Sequence, residues 1–342
     1  MKKILAAMSG GVDSAVCAAL LLEQGYEVYG ATMLLHDAGQ TEAEGARRTA
    51  QTLGIPFYLL DFREEFRKLV QEPFKRVYQS GGTPNPCVTC NKTVKFGLFL
   101  DRALELGCEG VATGHYARIG RDAETGRYLI RTARDASKDQ TYMFCLLSQA
   151  QLSRIVLPMG GMTKAAAREK AAALGLDVAR KSDSQDICFI PDGDYLHWLT
   201  EHGVTPQPGR FLGPDGEDLG SHRGLEAYTV GQRRGLEIAY GSRIYVTGKR
   251  GTDVLLGPNE ALFSSRVRVE GVNWIPFEAP TGELRAQAKL RYTPNAALCR
   301  ILPGKDGTAE LVFDTPQRAV TPGQTAVFYD GDLLLGGGTI VG

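Results

Sequence analysis

The chain has 342 residues, 43% hydrophobic and 23% charged, which excludes disordered, collagen-like and coiled-coil proteins and leaves room for about two domains. Its 39 basic and 39 acidic side chains balance, which excludes indiscriminate nucleic-acid binding driven by bulk positive charge. Glycine supplies 41 residues, above the usual share of roughly 7%, and forecasts tight turns and close backbone–ligand approaches.

The apolar run Ile4–Met8 is too short for a signal-peptide core or a membrane span and reads as a buried first strand. Ala15–Gln24 has a helical pattern closed by Gly25. Glu27–Leu35 reads as a second strand, Glu42–Leu53 as a helix ended by Gly54, and Pro56–Asp61 as a third strand. Glu64–Gln79 is helical, with Pro73 expected to kink or split it. Lys95–Leu106 adds a helix and Gly110–Ala117 a strand. This alternation predicts a parallel sheet flanked by helices. The helix Lys164–Leu174, ended by Gly175, leads to the segment Lys181–Pro191.

The texture changes near residue 200. From Gly209 onward, short strand-like runs such as Arg266–Val272, Leu284–Leu290, Ala309–Phe313 and Thr325–Tyr329 are separated by turn signals such as Pro214-Asp215-Gly216 and Asp330-Gly331-Asp332. Barrel and sandwich are the options for this β-rich part. A break near Val272–Pro280 separates a short middle module from a final β domain.

The most specific local feature is Ser9-Gly10-Gly11-Val12-Asp13-Ser14, between the first strand and the first helix. Adjacent glycines let backbone approach a ligand, and the helix N-terminus offers unpaired N–H groups to an anion. Ser9 and Ser14 add hydroxyls. Asp13 is a poor phosphate contact and suggests a metal or bracing of the loop. Neither a Walker A loop nor a dinucleotide-binding glycine pattern is present. The loop resembles the pyrophosphate loop of ATP pyrophosphatases, which split ATP between its α- and β-phosphates and adenylate a substrate oxygen.

Seven cysteines, an odd number, without an export signal predict a reducing cytoplasm and free thiols. Cys87 and Cys90 form a C-x-x-C behind two prolines, with Lys92 and Lys95 near enough to lower a thiol pKa. No second cysteine pair completes a zinc site, so no metal is assigned. Cys188 follows the polar run Ser182–Asp186 and reads as a thiol on a loop entering a strand, or as a buried structural cysteine. Cys17, Cys108, Cys145 and Cys299 sit in apolar or helical contexts and are expected in the core.

Taken in order, Ser9–Ser14, Thr83–Asn91, Thr113-Gly114-His115-Tyr116-Ala117, Lys138-Asp139-Gln140, Ser184–Ile190, Arg291-Tyr292 and Pro322-Gly323-Gln324 resemble the bacterial tRNA-specific 2-thiouridylase family. The resemblance runs from residue 4 to about residue 330. It implies an α/β N-terminal domain over 1–200, with a parallel sheet like that of adenine nucleotide α-hydrolases. A small β-rich central module over 201–272 and a C-terminal β-barrel over 273–342 contacting tRNA follow.

The same resemblance implies ATP-dependent 2-thiolation of the wobble uridine of tRNA. ATP, with Mg2+, adenylates the uridine O2, and sulfur arrives as a persulfide. By position that persulfide forms on Cys188, and Cys90 resolves it as a disulfide. ATP contacts carry onto Ala7, Met8, Ser9, Gly10, Gly11, Val12, Asp13, Ser14, Met33 and Gly114. The target base carries onto Asn85, Pro86 and Cys87. Other tRNA contacts carry onto His115, Lys138, Asp139, Gln140, Arg291, Tyr292 and Gln324. Tyr116 and Tyr292 are candidates for stacking on a base. Cys87 leaves an alternative open: Cys87, Cys90 and Cys188 as ligands of an iron–sulfur cluster. A persulfide donor protein is an implied partner and a membrane is not. The competing reading is an adenylating ligase or amidotransferase-type enzyme of the same superfamily that does not act on RNA.

Basic and acidic side chains differ by at most one in each segment, 24 and 23 over 1–195, 7 and 8 over 196–260, and 8 and 8 over 261–342, so RNA binding is expected from a shaped groove with local clusters. Candidates are Lys92/Lys95, Arg131/Arg134/Lys138, Arg168/Lys170, Arg233/Arg234 and Lys249/Arg250.

Overall fold

The computed structural model describes residues 1–37, 40–176 and 187–341. In chain order the first part holds β1 (Lys3–Ala7), β2 (Glu27–Leu34), β3 (Phe57–Asp61), β4 (Gly110–Ala112), β5 (Arg118–Arg121), β6 (Tyr128–Arg131) and β7 (Ile155–Val156). Five of these form a parallel sheet in the order β3-β2-β1-β4-β7. Ile4, Leu5 and Ala6 of β1 are buried, because helices cover both faces; hence the unbroken apolar run.

Helix α1 (Val12–Glu23) follows β1, and α2 (Gln40–Leu53) follows β2. Ala15, Val16, Cys17, Ala18 and Leu21 of α1 are buried with Ala167 and Ala171 of the helix Lys164–Ala173. Small side chains at that crossing let the helices approach closely. Gly25 ends α1 at φ +81°, and Tyr26 N–H returns to the Leu21 carbonyl at 3.0 Å.

Three expectations are corrected in detail. Pro73 does not sever its helix: the run passes through a π-helical stretch, Arg67–Gln71, and resumes as Glu72–Gln79 with Pro73 in its first turn. A wider turn just ahead accommodates the bond that proline cannot make. The helix expected over Lys95–Leu106 starts earlier, as Pro86–Cys90, a π-helical run Asn91–Leu98, and Phe99–Glu105. The strand expected over Gly110–Ala117 stops at Ala112, and the chain then turns across the sheet end.

The central module is a sheet of β8 (Gly209–Leu212), β9 (Asp218–His222), β10 (Tyr245–Arg250) and β11 (Asp253–Gly257) in the order β10-β11-β8-β9. Phe211, Tyr228, Val246, Val254 and Leu256 form its small core. The last part holds β12 (Phe263–Trp274), β13 (Leu284–Lys289), β14 (Ala297–Pro303), β15 (Ala309–Arg318), β16 (Thr325–Asp330) and β17 (Leu333–Val341). They follow the order β12-β15-β14-β13-β16-β17, and pairing of β12 with β17 closes a six-stranded barrel. β12 crosses the break expected at 272/273 and is already a barrel strand. The proline-bearing turn signal lies between β12 and β13, inside the barrel.

The barrel does not stand apart. The hairpin β5–β6 of the first domain extends its sheet through Leu333↔Arg131. Asp332 pairs with Arg118 at 2.8 Å and Arg131 at 2.6 Å. Those pairs are half exposed and contribute at most about 1 kcal/mol each. Apolar contact matters more: Tyr142, Phe144, Ile275, Val327, Tyr329 and Leu334 share one core. Within it, the Tyr142 hydroxyl donates to the Thr325 carbonyl at 2.6 Å.

Candidate active site

In this sheet β1 leads outward to β2 and β3 on one side and to β4 and β7 on the other. Such a reversal opens a crevice at the carboxyl ends of the central strands. Ser9–Ser14 lies there, at the end of β1. Ser9 N–H donates to Ser14 Oγ at 3.2 Å, and Ser14 Oγ donates to the Gly11 carbonyl at 3.0 Å. Gly10 sits at φ +66°, and a Cβ there would stand 2.6 Å from the Glu42 carbonyl at the start of α2. Gly114 is equally confined: its Cβ would meet Asp13 C at 2.6 Å and Ser14 N at 2.7 Å. Thr32 Oγ1 donates to the Met8 carbonyl at 2.6 Å. Met33 follows on β2, half-buried, and Ala7 ends β1. The loop therefore has its shape before any ligand arrives.

Asp13 braces the loop. Its carboxylate accepts from Lys164 Nζ at 2.8 and 2.9 Å and from the Tyr116 hydroxyl at 2.8 Å. Lys164 lies far along the chain with no local motif to announce it. The same bond corrects Tyr116: its ring is 2% exposed, so it packs in the core and cannot stack on a base.

The thiols come from two segments, the helix Pro86–Cys90 and the turn at 187–190. Asn85 caps the helix Pro86–Cys90, its Oδ1 accepting from Val88 N–H at 3.3 Å. Cys90 is buried, Cys87 half-buried and Cys188 exposed. The four cysteines expected in the core, Cys17, Cys108, Cys145 and Cys299, are all buried. Residues 187–190 form a turn, not the start of a strand, with Ile190 N–H donating to the Ile187 carbonyl at 2.8 Å. Buried Phe189 anchors that turn against Phe66, Phe74 and Trp198, which leaves Cys188 outside. The stretch 177–186 preceding it lies outside the described residues.

Burial pushes the Cys90 thiol up to about 12, against the pull of Lys95; nearby Cys188 and Cys87 raise it further. Cys188 is pushed to about 11, chiefly by desolvation from the protein around it; Lys95 again lowers it, while Cys87 and Glu42 raise it. The Glu42 backbone carbonyl lies against Gly10, and its carboxylate charge acts on Cys188.

Two of the barrel residues, Gln324 and Tyr292, bond to the first domain, and Arg291 bonds within the barrel. Gln324 Nε2 donates to the carbonyls of Thr83 and Pro84 at 2.9 and 3.2 Å. Tyr292 is 52% exposed, and its hydroxyl donates to the Asp139 carbonyl at 3.1 Å. Arg291 donates to the carbonyls of Arg318 and Ala319. Asp139 and Gln140 have internal work: Asp139 accepts from Ala133 N–H and the Thr141 hydroxyl, and Gln140 from Tyr116 N–H. Lys138 ends a 3-10 turn and is half-buried. His115 packs between Phe96 and Phe144, its Nδ1 2.7 Å from the Thr113 hydroxyl. Burial first, then Lys95, holds its pKa well below the usual value. Of the basic clusters, Arg131 and Lys170 are paired with carboxylates, and the Lys249 ammonium is buried.

Three family models match the chain in series. One, described as a tRNA methyl transferase HUP domain, covers residues 2–192. A tRNA methyl transferase PRC-barrel domain covers 197–253, and an aminomethyltransferase beta-barrel domain covers 264–340. The tRNA-specific 2-thiouridylase MnmA of Heliobacterium modesticaldum is 49% identical, covering 99% of this chain and 92% of that protein. Its counterpart from Pelotomaculum thermopropionicum is 45% identical, with 99% and 97% covered.

Proposed function

The chain belongs to the tRNA-specific 2-thiouridylase family, and from that membership we propose that it replaces O2 of the wobble uridine of tRNA by sulfur, converting ATP to AMP and pyrophosphate. ATP phosphates lie on Ser9–Ser14 and the N-terminus of α1, with Ala7, Met33 and Gly114 framing the nucleotide. Mg2+ travels with those phosphates. Asp13 is engaged by Lys164 and Tyr116 at the edge of that site.

The uridine O2 attacks the α-phosphorus, pyrophosphate leaves, and O2 becomes a good leaving group as AMP. A persulfide donor protein loads Cys188, the exposed thiol. The terminal sulfur attacks C2 and AMP departs. Cys90 as thiolate then attacks Cys188 Sγ. A Cys90–Cys188 disulfide forms, the bond to the transferred sulfur breaks, and its electron pair stays with that sulfur as 2-thiouridine. A thiol reductant restores both cysteines. Asn85, Pro86 and Cys87 flank the base, with His115, Lys138, Asp139, Gln140, Arg291, Tyr292 and Gln324 shaping the RNA surface around it. The observation that carries this reading is the 49% identity to a tRNA-specific 2-thiouridylase over 99% of the chain, together with a glycine loop already shaped at the strand ends.

The iron–sulfur alternative on Cys87, Cys90 and Cys188 has less support. Among the described residues no group of three His, Cys, Asp or Glu side chains is placed to hold a metal ion, so no step runs through a cluster. Iron content and visible absorbance of anaerobically purified protein separate the two routes. No described helix is long and apolar enough to cross a membrane.

The test supplies purified protein with ATP, a persulfide donor and unmodified tRNA, followed by nucleoside mass spectrometry. Wobble 2-thiouridine with equal AMP is expected. Pyrophosphate exchange dependent on an amino acid, without thiouridine, would point to the ligase class instead.

A further inference from the structure

The helix carrying Cys87 and Cys90 changes its winding immediately after Cys90. Asn91–Leu98 is π-helical, and the Phe99 N–H at its end reaches back five residues to the Val94 carbonyl. In such a turn the residue standing over Cys90 is the fifth one on, Lys95, whereas an α-turn would place Val94 there. Val94 is instead fully buried in the core. Cys87, three residues before Cys90, lies on the same face.

Lys95 is half-buried, and among the described residues it makes no ion pair with a carboxylate. Its charge reaches Cys87, Cys90 and Cys188, pulling each toward the thiolate. Lys92, one turn away, is exposed and reaches Cys145 instead. Among the described residues, the charged and titratable groups that act on Cys188 are Lys95 and Cys87 from this helix and Glu42 from α2. His115 faces Lys95 from the end of β4 and is kept neutral, so it supplies no second positive charge.

We propose that Lys95, aimed by the π-helical turn after Cys90, is the positioning residue of the thiol cluster, a fixed counter-ion for the negative sulfur as it passes between Cys188 and Cys90. This rests on the reading of these thiols as the sulfur relay. A sulfur anion that reaches buried Cys90 has to be matched there by a nearby positive charge. One cation shared by all three thiols does this without a large rearrangement.

The test needs neither ATP nor tRNA. Alkylation of exposed Cys188 by iodoacetamide is followed by peptide mass spectrometry between pH 7 and 9 on the full chain. Losing a nearby cation lowers the thiolate fraction roughly tenfold, while the higher nucleophilicity of the more basic thiolate returns part of that, leaving the rate down about threefold. Lys95→Met is expected to show that loss, Lys95→Arg to restore the rate, and Lys92→Met to behave as the unaltered protein. If Lys95→Met does not fold, as judged by circular dichroism, Lys95→Gln carries the same expectation. A Cys188 profile unchanged in the neutral variant, or lowered equally by Lys92→Met, overturns the assignment. Normal thiolation by Cys188→Ser would refute the relay yet leave the alkylation shift standing.

Discussion

Gly114→Ala places one methyl group against the backbone of the glycine loop. Its Cβ would stand 2.6 Å from Asp13 C and 2.7 Å from Ser14 N. Ordinary contact begins near 3.4 Å, so the two strand-end loops must part by about 0.8 Å. Neither side yields easily. Asp13 is held by Lys164 and Tyr116, and the next residue, His115, is wedged between Phe96 and Phe144. Overpacking of this kind costs about 1–3 kcal/mol of stability, and a displacement approaching 1 Å in a catalytic loop lowers rate by about 100-fold. The variant is therefore expected to fold, to melt a few degrees lower, and to lose about two orders of magnitude in kcat/KM for ATP. Thiouridine formation at varied ATP, with a thermal melt on the same sample, measures both. Wild-type kcat/KM with a wild-type melt would refute the reasoning that this contact sets the loop.

Four other outcomes follow from the same geometry. Cys90→Ser and Cys188→Ser are each expected to abolish thiouridine while leaving the melting temperature within a few degrees, read by nucleoside mass spectrometry and calorimetry. Lys164→Met deprives Asp13 of its ammonium, 12% exposed, and should cost about 1–3 kcal/mol in urea denaturation. Tyr142→Phe removes the buried bond to the Thr325 carbonyl and should cost about 1 kcal/mol; an unchanged midpoint would show that apolar packing alone docks the barrel. His115 is held neutral by burial and by Lys95, so the unfolded chain binds a proton that the folded chain refuses. Stability from this group is present above the ordinary imidazole pKa and is lost as pH falls below about 6.5. His222, lowered chiefly by burial, adds the same sign. Replacing His115 by Asn should flatten the urea midpoint between pH 5 and 7, and an unaltered slope would contradict its assignment.

The local features of the chain were legible in its residues. Ser9–Ser14 announces itself because a glycine pair between an apolar strand and a helix has few other uses. The alternation from Ile4 to Ala112 is readable because each element buries one face at its own period. What was not legible depends on partners distant in sequence. Nothing near Asp13 points to Lys164, and nothing near Thr113 shows that Tyr116 turns inward to meet that carboxylate. Lys92 and Lys95 were both legible as neighbours of the thiols, but the π-helical turn after Cys90 has no sequence signature, so only three dimensions show that Lys95 acts on them and Lys92 does not. Closure of the barrel by β12 and β17, and its extension by β5 and β6, are likewise set by non-local pairing. The break expected at 272/273 followed a real turn signal, but that turn joins two strands of one barrel.

The central claim is that sulfur leaves Cys188 as Cys90 attacks it. A single-turnover reaction without added reductant, quenched with an alkylating agent and digested, tests it most directly by counting Cys90–Cys188 disulfide against 2-thiouridine. One disulfide per thiouridine is the predicted result; thiouridine accumulating while Cys90 and Cys188 remain fully alkylatable would contradict it.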